Sequence, residues 1–190
     1  MTDVLYQTLE DRSNPDEVER HGPYRCTNSD AWLGPGYYFW YYFIDLAHWW
    51  GRTVYPVTSY MICRQTGDID GNPEILDLYA DFGMIDAVRQ YVMKIKGTYN
   101  QNSIIVKTVL EHMRKIGILD DYKAIRIEGN NSTNQDYLLT EQRLKFKSGN
   151  RQSVYFDMVP PVQVCVYDKS VLNEDFKVIF PDEYNIDYAV

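Results

Sequence analysis

An unbroken run of aromatic side chains follows a glycine-rich turn early in the chain. The turn is Gly34-Pro35-Gly36, and seven aromatic residues fill positions 37–43. Glycine reaches positive φ freely and proline fixes its own φ, so the triplet predicts a turn. The aromatic run predicts a strand, whose alternate side chains face opposite sides of a sheet. Two interpretations are open. The rings fill a core from both faces, or some of them line a binding cleft, where a tyrosine ring packs while its hydroxyl stays available.

Other residue types that commonly perform chemistry are sparse. Cys26, Cys63 and Cys165 are odd in number and far apart, which predicts no disulfide framework, and the chain has only three histidines, with no zinc spacing. The acidic, glycine-containing turn at residues 67–73 lacks the ligand spacing and the closing glutamate of an EF-hand. His112 lies on or beside the apolar side of a predicted helix, which favours a packed histidine over a metal ligand.

Composition and charge limit the classes of partner. The formal net charge of −8 argues against binding to a phosphate backbone, which needs a concentrated basic surface. Residues 1–5 lack the basic and apolar regions of a signal peptide, and no apolar run reaches the length of a membrane span. We therefore expect a cytoplasmic protein that does not enter a membrane. Secretion by a route that needs no cleaved signal stays open.

The hydrophobic pattern predicts a single α+β domain over residues 1–190. Predicted strands cover residues 4–9, 37–43, 53–63, 123–127, 153–157, 162–167 and 176–180. Predicted helices cover 44–51, ending at a glycine C-cap, and then 84–96 and 103–116, with one helical turn at 15–18. Residues 129–135 read as an exposed polar loop, residues 137–142 fit either a strand or a helix, and the acidic tail reads as loose.

Three of these strands occur in an order that resembles the ADP-ribosyltransferase fold. The resemblance is to its diphtheria-toxin and poly(ADP-ribose) polymerase branch, and to uncharacterised bacterial and phage domains of the same plan. That branch has a leucine–aromatic–histidine–glycine strand, a glycine–any–glycine–aromatic–tyrosine–phenylalanine strand followed by a short helix, and a strand that opens with glutamate and ends in aspartate. The matching segments are Leu5-Tyr6-Gln7-Thr8, Gly34-Pro35-Gly36-Tyr37-Tyr38-Phe39 and Gln163-Val164-Cys165-Val166-Tyr167-Asp168. The resemblance implies a two-sheet core with a cleft and an inserted helical segment at about 84–117.

The resemblance also implies NAD as a substrate and a role for each matching residue. The nicotinamide leaves through an oxocarbenium-like state with positive charge on the ribose. Tyr38 falls at the tyrosine that stacks on the nicotinamide, and Gly36 at the second glycine of its motif. Gln7 stands where the family has the ribose-binding histidine, and Thr8 where it has a glycine whose backbone approaches the nicotinamide amide.

Gln163 stands at the position of the catalytic glutamate. A carboxylate stabilises the developing positive charge and orients the acceptor, and a neutral amide does neither well. Three accounts follow. The chain is a mono-ADP-ribosyltransferase or NAD glycohydrolase that uses Glu141 or Asp157 instead, or it binds NAD or a fragment without transfer, or it is an inactive interaction module whose acidic surface meets a basic partner. The sequence does not name the acceptor.

Overall fold

The computed structural model describes residues 2–96, 104–129, 142–146 and 155–185. Within these segments the chain has an α+β architecture, with a seven-stranded mixed sheet, a two-stranded sheet and four α-helices. No helix in the described segments is long and apolar enough to span a membrane.

The strands and helices have the following bounds. The strands are β1 Asp3–Glu10, β2 Tyr37–Tyr41, β3 Tyr60–Gly67, β4 Ile75–Leu78, β5 Ala124–Glu128, β6 Arg143–Lys145, β7 Tyr155–Asp157, β8 Val162–Val166 and β9 Lys177–Phe180. The helices are α1 Pro15–His21, α2 Ile44–Val54, α3 Phe82–Lys96 and α4 Val106–Lys115. The predicted helical segment at 84–117 therefore holds two helices, and the helical turn predicted at 15–18 extends to His21.

The large sheet has the strand order β4-β5-β8-β2-β1-β3-β9. All neighbouring strands are antiparallel except the parallel pair β4 and β5. The three strands that carry the motifs, β1, β2 and β8, lie side by side at the centre of this sheet. The expected pair of facing sheets is not what the described strands form, since these three strands belong to one sheet and only β6 and β7 pair separately.

Alternation along the strands divides the side chains between two faces of the sheet. The first, which we call the α1 face, carries Leu5, Phe39 and Val164 in one core cluster with Val18 of α1. The second, the α2/α4 face, carries Trp40, which clusters with Leu46 and Ala47 of α2. It also carries Cys165, the residue after Val164. Cys165 is buried and packs among Val109, Leu110 and Met113 of α4. Every residue of β8 is buried because both faces are covered.

Several predicted boundaries were wrong, and a glycine explains the first. Helix α2 does not end at Gly51 but continues to Val54. A Cβ atom at Gly51 would lie 2.4 Å from Cδ2 of Tyr60, so this glycine allows close packing against β3 rather than a helix end. Strand β3 begins at Tyr60 instead of residue 53, since α2 occupies the first two residues predicted for it, and it ends at Gly67 instead of residue 63. The sequence pattern also missed β4, which is short and follows the turn at 67–73.

The remaining predicted elements lie close to their expected places. Strands β5, β7, β8 and β9 each overlap the predicted segment and differ from it by at most two residues at either end. The polar loop predicted at 129–135 lies, beyond Gly129, outside the described residues. The same holds for most of the ambiguous segment at 137–142 and for residues 186–190 of the tail. The first part of the tail is not loose as predicted, since Asp182–Tyr184 form a 3₁₀-helix and Tyr184 packs against the core.

Candidate functional site

The Tyr38 hydroxyl is used to hold the glycine turn that precedes its own strand. It accepts a hydrogen bond from the backbone N–H of Leu33 at 2.8 Å and donates one to the carbonyl oxygen of Gly34 at 2.8 Å. The Leu33 carbonyl oxygen accepts two further hydrogen bonds, from the Tyr167 hydroxyl at 2.8 Å and from Nη2 of Arg114 at 2.7 Å. The turn is therefore fixed from three elements, and Gly34 adopts a φ of +86° that favours glycine.

The Tyr38 ring faces the α2/α4 face and is half-buried. It packs with Leu33, Ile125 and Cys165, whereas its neighbours Tyr37 and Phe39 pack on the α1 face. The alternation predicted for the aromatic strand is therefore confirmed at positions 37–39. Burial raises the pKa of the Tyr38 hydroxyl and raises the pKa of the Cys165 thiol to about 12, so both groups are neutral at physiological pH.

Gly36 allows strand β2 to approach strand β8 closely. A Cβ atom at this position would lie 2.5 Å from Sγ of Cys165 and 2.9 Å from the carbonyl oxygen of Val166. Cys26 pairs with Gly36 through two backbone hydrogen bonds of 2.8 and 3.1 Å. The internal packing of the protein is thus sufficient to require a glycine here.

The Gln7 side chain is 5% exposed on the α1 face and makes three hydrogen bonds. Its Oε1 accepts from the backbone N–H of Tyr24 at 2.8 Å, and its Nε2 donates to the Tyr24 carbonyl oxygen at 2.8 Å. Nε2 also lies 3.3 Å from the carbonyl oxygen of Tyr38. The amide pairs with the Tyr24 backbone as a strand would, and so it fixes the loop between α1 and β2.

Thr8 is the next residue and faces the opposite side of the sheet. Its Oγ1 donates a hydrogen bond to the carbonyl oxygen of Ala47 in α2 at 2.9 Å. The contact ties β1 to the helix that covers this face. A glycine at position 8 would leave this α2 carbonyl without its side-chain partner.

Gln163 differs from the other predicted site residues. It lies on β8 in register with Trp40 on one side and Ile127 on the other, and it is 9% exposed on the α2/α4 face. Its side-chain amide makes no hydrogen bond to any part of the chain that the structure describes, and neither amide atom is fully enclosed. Trp40 makes edge contacts with Trp49 and Trp50 of α2, with ring centroids 5.8 and 6.2 Å apart. Gln163 therefore lies beside a cluster of tryptophan rings, and its polar atoms have no hydrogen-bond partner among the described residues.

Asp157 and Glu141 were the candidates to replace the glutamate that the resembled family has at position 163. No described contact links Asp157 to Gln163. Asp157 forms an ion pair with Arg143 across the β6–β7 hairpin, with Nε to Oδ1 at 2.6 Å. Glu141 lies outside the described residues.

A buried ionic network on the α1 face was not predicted from the sequence. Arg126 is 2% exposed, and its guanidinium donates to Asp77 at 2.5 and 3.1 Å and to Asp70 at 2.8 Å. Its Cζ also lies 5.0 Å from the ring centroid of Tyr41 and 5.6 Å from that of Tyr79. The only sequence signal is an arginine between two isoleucines in a predicted strand, which does not identify its partners.

Carboxylates around this network remain charged despite their burial. Burial alone would raise the pKa of Asp77, but hydrogen bonds from Arg126 and from two backbone N–H groups outweigh it and lower the pKa. Asp3 behaves in the same way. It accepts hydrogen bonds from the Tyr41 hydroxyl at 2.6 Å and from the backbone N–H groups of Ile69 and Asp70 at 2.9 and 2.8 Å, and its pKa is also lowered.

The predicted site residues thus divide between the two faces. Thr8, Tyr38 and Gln163 lie on the α2/α4 face, and Gln7 lies on the α1 face. Among the described residues no group of three histidine, cysteine or acidic side chains converges to hold a metal ion. No protein-family model, curated protein or solved structure matches this chain.

Proposed function

We propose that the chain is an ADP-ribosyltransferase-like domain that serves as an interaction module rather than as an enzyme that consumes NAD. One observation carries the proposal. Gln7, Thr8 and Tyr38 stand at positions that the resemblance assigns to NAD, and the polar side-chain atoms of all three already make hydrogen bonds within the protein. Binding a ribose through the Gln7 amide would first break its hydrogen bonds to Tyr24, each of which contributes about 1 kcal/mol to stability.

The chemistry at Gln163 supports the same proposal. Cleavage of the nicotinamide bond develops positive charge, and a preorganised negative group contributes most to such a step. A glutamine amide carries no charge, and Asp157 is held in its ion pair with Arg143. Among the described residues, neither Gln163 nor Asp157 therefore offers a free carboxylate that would drive the reaction.

The experiment compares NAD turnover and NAD binding in the same preparation. We expect no nicotinamide release above the uncatalysed rate and no heat of NAD binding by calorimetry. Mass spectrometry of a lysate incubated with the protein and isotope-labelled NAD should show no transferred ADP-ribose. Nicotinamide release or labelled acceptors with the wild-type chain would overturn the proposal.

Binding of NAD or its nicotinamide part without turnover is the second candidate. It is favoured by the Gln163 amide, which has no hydrogen-bond partner among the described residues, because a carboxamide ligand can pair with such an amide through hydrogen bonds. On this account Gln163→Glu creates measurable NAD glycohydrolase activity, since the carboxylate is restored and water is the acceptor. Nicotinamide binding that Gln163→Leu abolishes would favour this candidate over the first.

A further inference from the structure

Helix α3 is amphipathic but none of its fifteen residues is buried. Met84, Val88 and Val92 pack partly against the core cluster of the α2/α4 face. Phe82 and Met93 are 81% and 61% exposed. A helix with an apolar side that is covered only in part leaves apolar surface available to a partner.

An apolar groove of about 390 Å³ runs between α3 and the segment that leads into α4. One wall is formed by Ile85, Val88 and Val92, and the other by Ile105, Val106 and Val109, with Ile127 of β5 contributing to the floor. The volume is within the range of about 300 to 1,000 Å³ that is typical of ligand sites. Glu128 is the one charged residue among those that line it.

A second concavity of about 410 Å³ adjoins the groove, because Ile105 and Val106 line both. Trp32, which is 54% exposed, lies in this second part together with Asp30 and Lys107. Exposed tryptophans in or beside an apolar depression are frequent anchors of protein interfaces. The apolar surface is therefore longer than α3 alone provides.

The two helices are basic although the chain is acidic. Helices α3 and α4 together carry six basic and two acidic residues, whereas the whole chain has a net charge of −8. Arg89 and Lys96 do not line the groove, but each follows a lining residue by four positions, Ile85 and Val92 respectively, so helical spacing places them beside it. The Arg89–Asp86 ion pair is exposed and contributes little, which leaves the arginine available to a partner.

We propose that this groove binds an acidic amphipathic helix of another protein. Ile85, Val88 and Val92 repeat at the spacing with which one helix receives the apolar side of another. Acidic residues on the edge of such a helix would meet Arg89 and Lys96 beside the groove, and Asp30 and Glu128 would keep acidic side chains away from the two ends. The inference does not depend on whether the NAD positions bind anything.

The charges also argue against two other occupants. A second copy would bring an equally basic helix pair to the same groove, and like charges repel across an interface. A membrane surface is flat while the groove is concave, and the anionic headgroups that attract basic helices would repel the rest of a chain with net charge −8.

The test uses two labelled model peptides and the full chain. Both peptides carry leucine at i, i+3, i+4 and i+7 spacing over several turns. One has glutamate at the outward positions and the other has lysine there. By fluorescence anisotropy we expect the acidic peptide to bind in the micromolar range and the lysine peptide to bind at least about tenfold more weakly. Added salt should weaken the acidic peptide's binding.

Variants of α3 locate the site. Val88→Asp places a charge in the groove and should weaken binding by at least about tenfold. Ala87→Asp is the matched control, because Ala87 is exposed on the same helix and does not line the groove, and it should leave affinity unchanged. Lys96→Glu should weaken the acidic peptide's binding and reduce its dependence on salt. Circular dichroism reports whether each variant is folded, and Ile105→Asp, at a 55% exposed position, replaces Val88→Asp if that variant unfolds.

Several outcomes would overturn the proposal. These are equal affinity for the two peptides, no binding of the acidic peptide, and full affinity in a folded Val88→Asp or Ile105→Asp variant. Binding to phosphatidylglycerol vesicles without binding of the acidic peptide would assign the surface to lipid instead. None of these results bears on NAD turnover, so the two proposals fail separately.

Discussion

Two buried glutamines in the same sheet have opposite environments. Gln7, on the α1 face, uses both ends of its amide to hold the backbone of Tyr24. Gln163, on the α2/α4 face, is nearly as buried, at 9% against 5% exposure, yet it has no hydrogen bond to the described residues. Both were predicted to contact NAD. Burial alone therefore does not reveal the role of a polar side chain. The hydrogen bonds that its polar atoms make are more informative.

The same difference extends across the two faces of the sheet. The α1 face holds the Arg126 network, in which every charge has a partner. The α2/α4 face holds Gln163 and, further along, the open groove between α3 and α4. If this division is correct, substitutions on the α1 face should cost stability, and those on the α2/α4 face should change stability less.

Arg126→Leu should have the largest effect. The substitution leaves Asp77 buried without its guanidinium partner, which costs about 3–5 kcal/mol. The measurement is the free energy of unfolding from urea denaturation. Arg64→Leu is the matched control, because Arg64 is an exposed arginine on a strand of the same sheet. Similar losses for the two variants would contradict a special role for the network.

Acid should weaken the same network. The pKa values of Asp3 and Asp77 in the folded protein lie below the ordinary value of 3.8. Their contribution to stability is therefore present above that value and is lost as the pH falls through the folded-state pKa values. Urea midpoints between pH 7 and pH 3 should show a fall below about pH 4. The decline should be smaller in Asp77→Asn, and an unchanged decline would place the acid sensitivity elsewhere.

Gln7→Leu should destabilise the protein by about 2 kcal/mol, because the backbone N–H and carbonyl groups of Tyr24 lose their partners. The loop between α1 and β2 should also become more accessible to limited proteolysis. An unchanged urea midpoint would show that water replaces the amide, and Gln7 would then be free to bind a ligand.

Tyr38→Phe should cost about 1 kcal/mol, since it removes the hydroxyl that fixes Leu33 and Gly34 while leaving the ring in place. Tyr38 is an exception to the division between the faces, because its hydroxyl lies on the α2/α4 face and makes two hydrogen bonds there. Tyr42→Phe is the control, at a tyrosine that is 61% exposed. An unchanged free energy of unfolding in Tyr38→Phe would show that the two hydrogen bonds of the hydroxyl do not stabilise the turn.

Gln163→Leu should have the smallest effect on the free energy of unfolding, within about 0.5 kcal/mol in either direction. An amide without partners contributes no hydrogen bond that leucine would lose, and leucine gains from burial. A loss of unfolding free energy as large as that of Gln7→Leu would mean that the Gln163 amide makes hydrogen bonds that stabilise the fold. Thermal unfolding of the two single variants, measured side by side, distinguishes these cases.

Residue patterns alone were enough to predict the α+β class and most of the helices and strands. Periodicity identified β1, β2, β8 and the helices α3 and α4, because an apolar pattern reflects which face of an element is covered. The alternation rule also gave the direction of Tyr38 correctly. Its errors came where a contact distant in sequence decided the outcome. Gly51 was read as a helix end, but the ring of Tyr60 requires a glycine within the helix.

The hydrogen-bond partners of the predicted site residues became known only from the tertiary structure. Types and spacing at Gln7, Thr8, Gly36 and Tyr38 fit the chemistry of a ligand site, but a side chain that can bind a ligand can also bind the backbone of its own protein. Which of the two occurs depends on the neighbours that the fold supplies, and the partners of Gln7 and Thr8 are 17 and 39 residues away in the sequence. Arg126 finds its aspartates 49 and 56 residues away for the same reason. Sequence patterns show local periodicity, whereas the hydrogen-bond partner of a buried polar group depends on contacts between segments that are distant in the sequence.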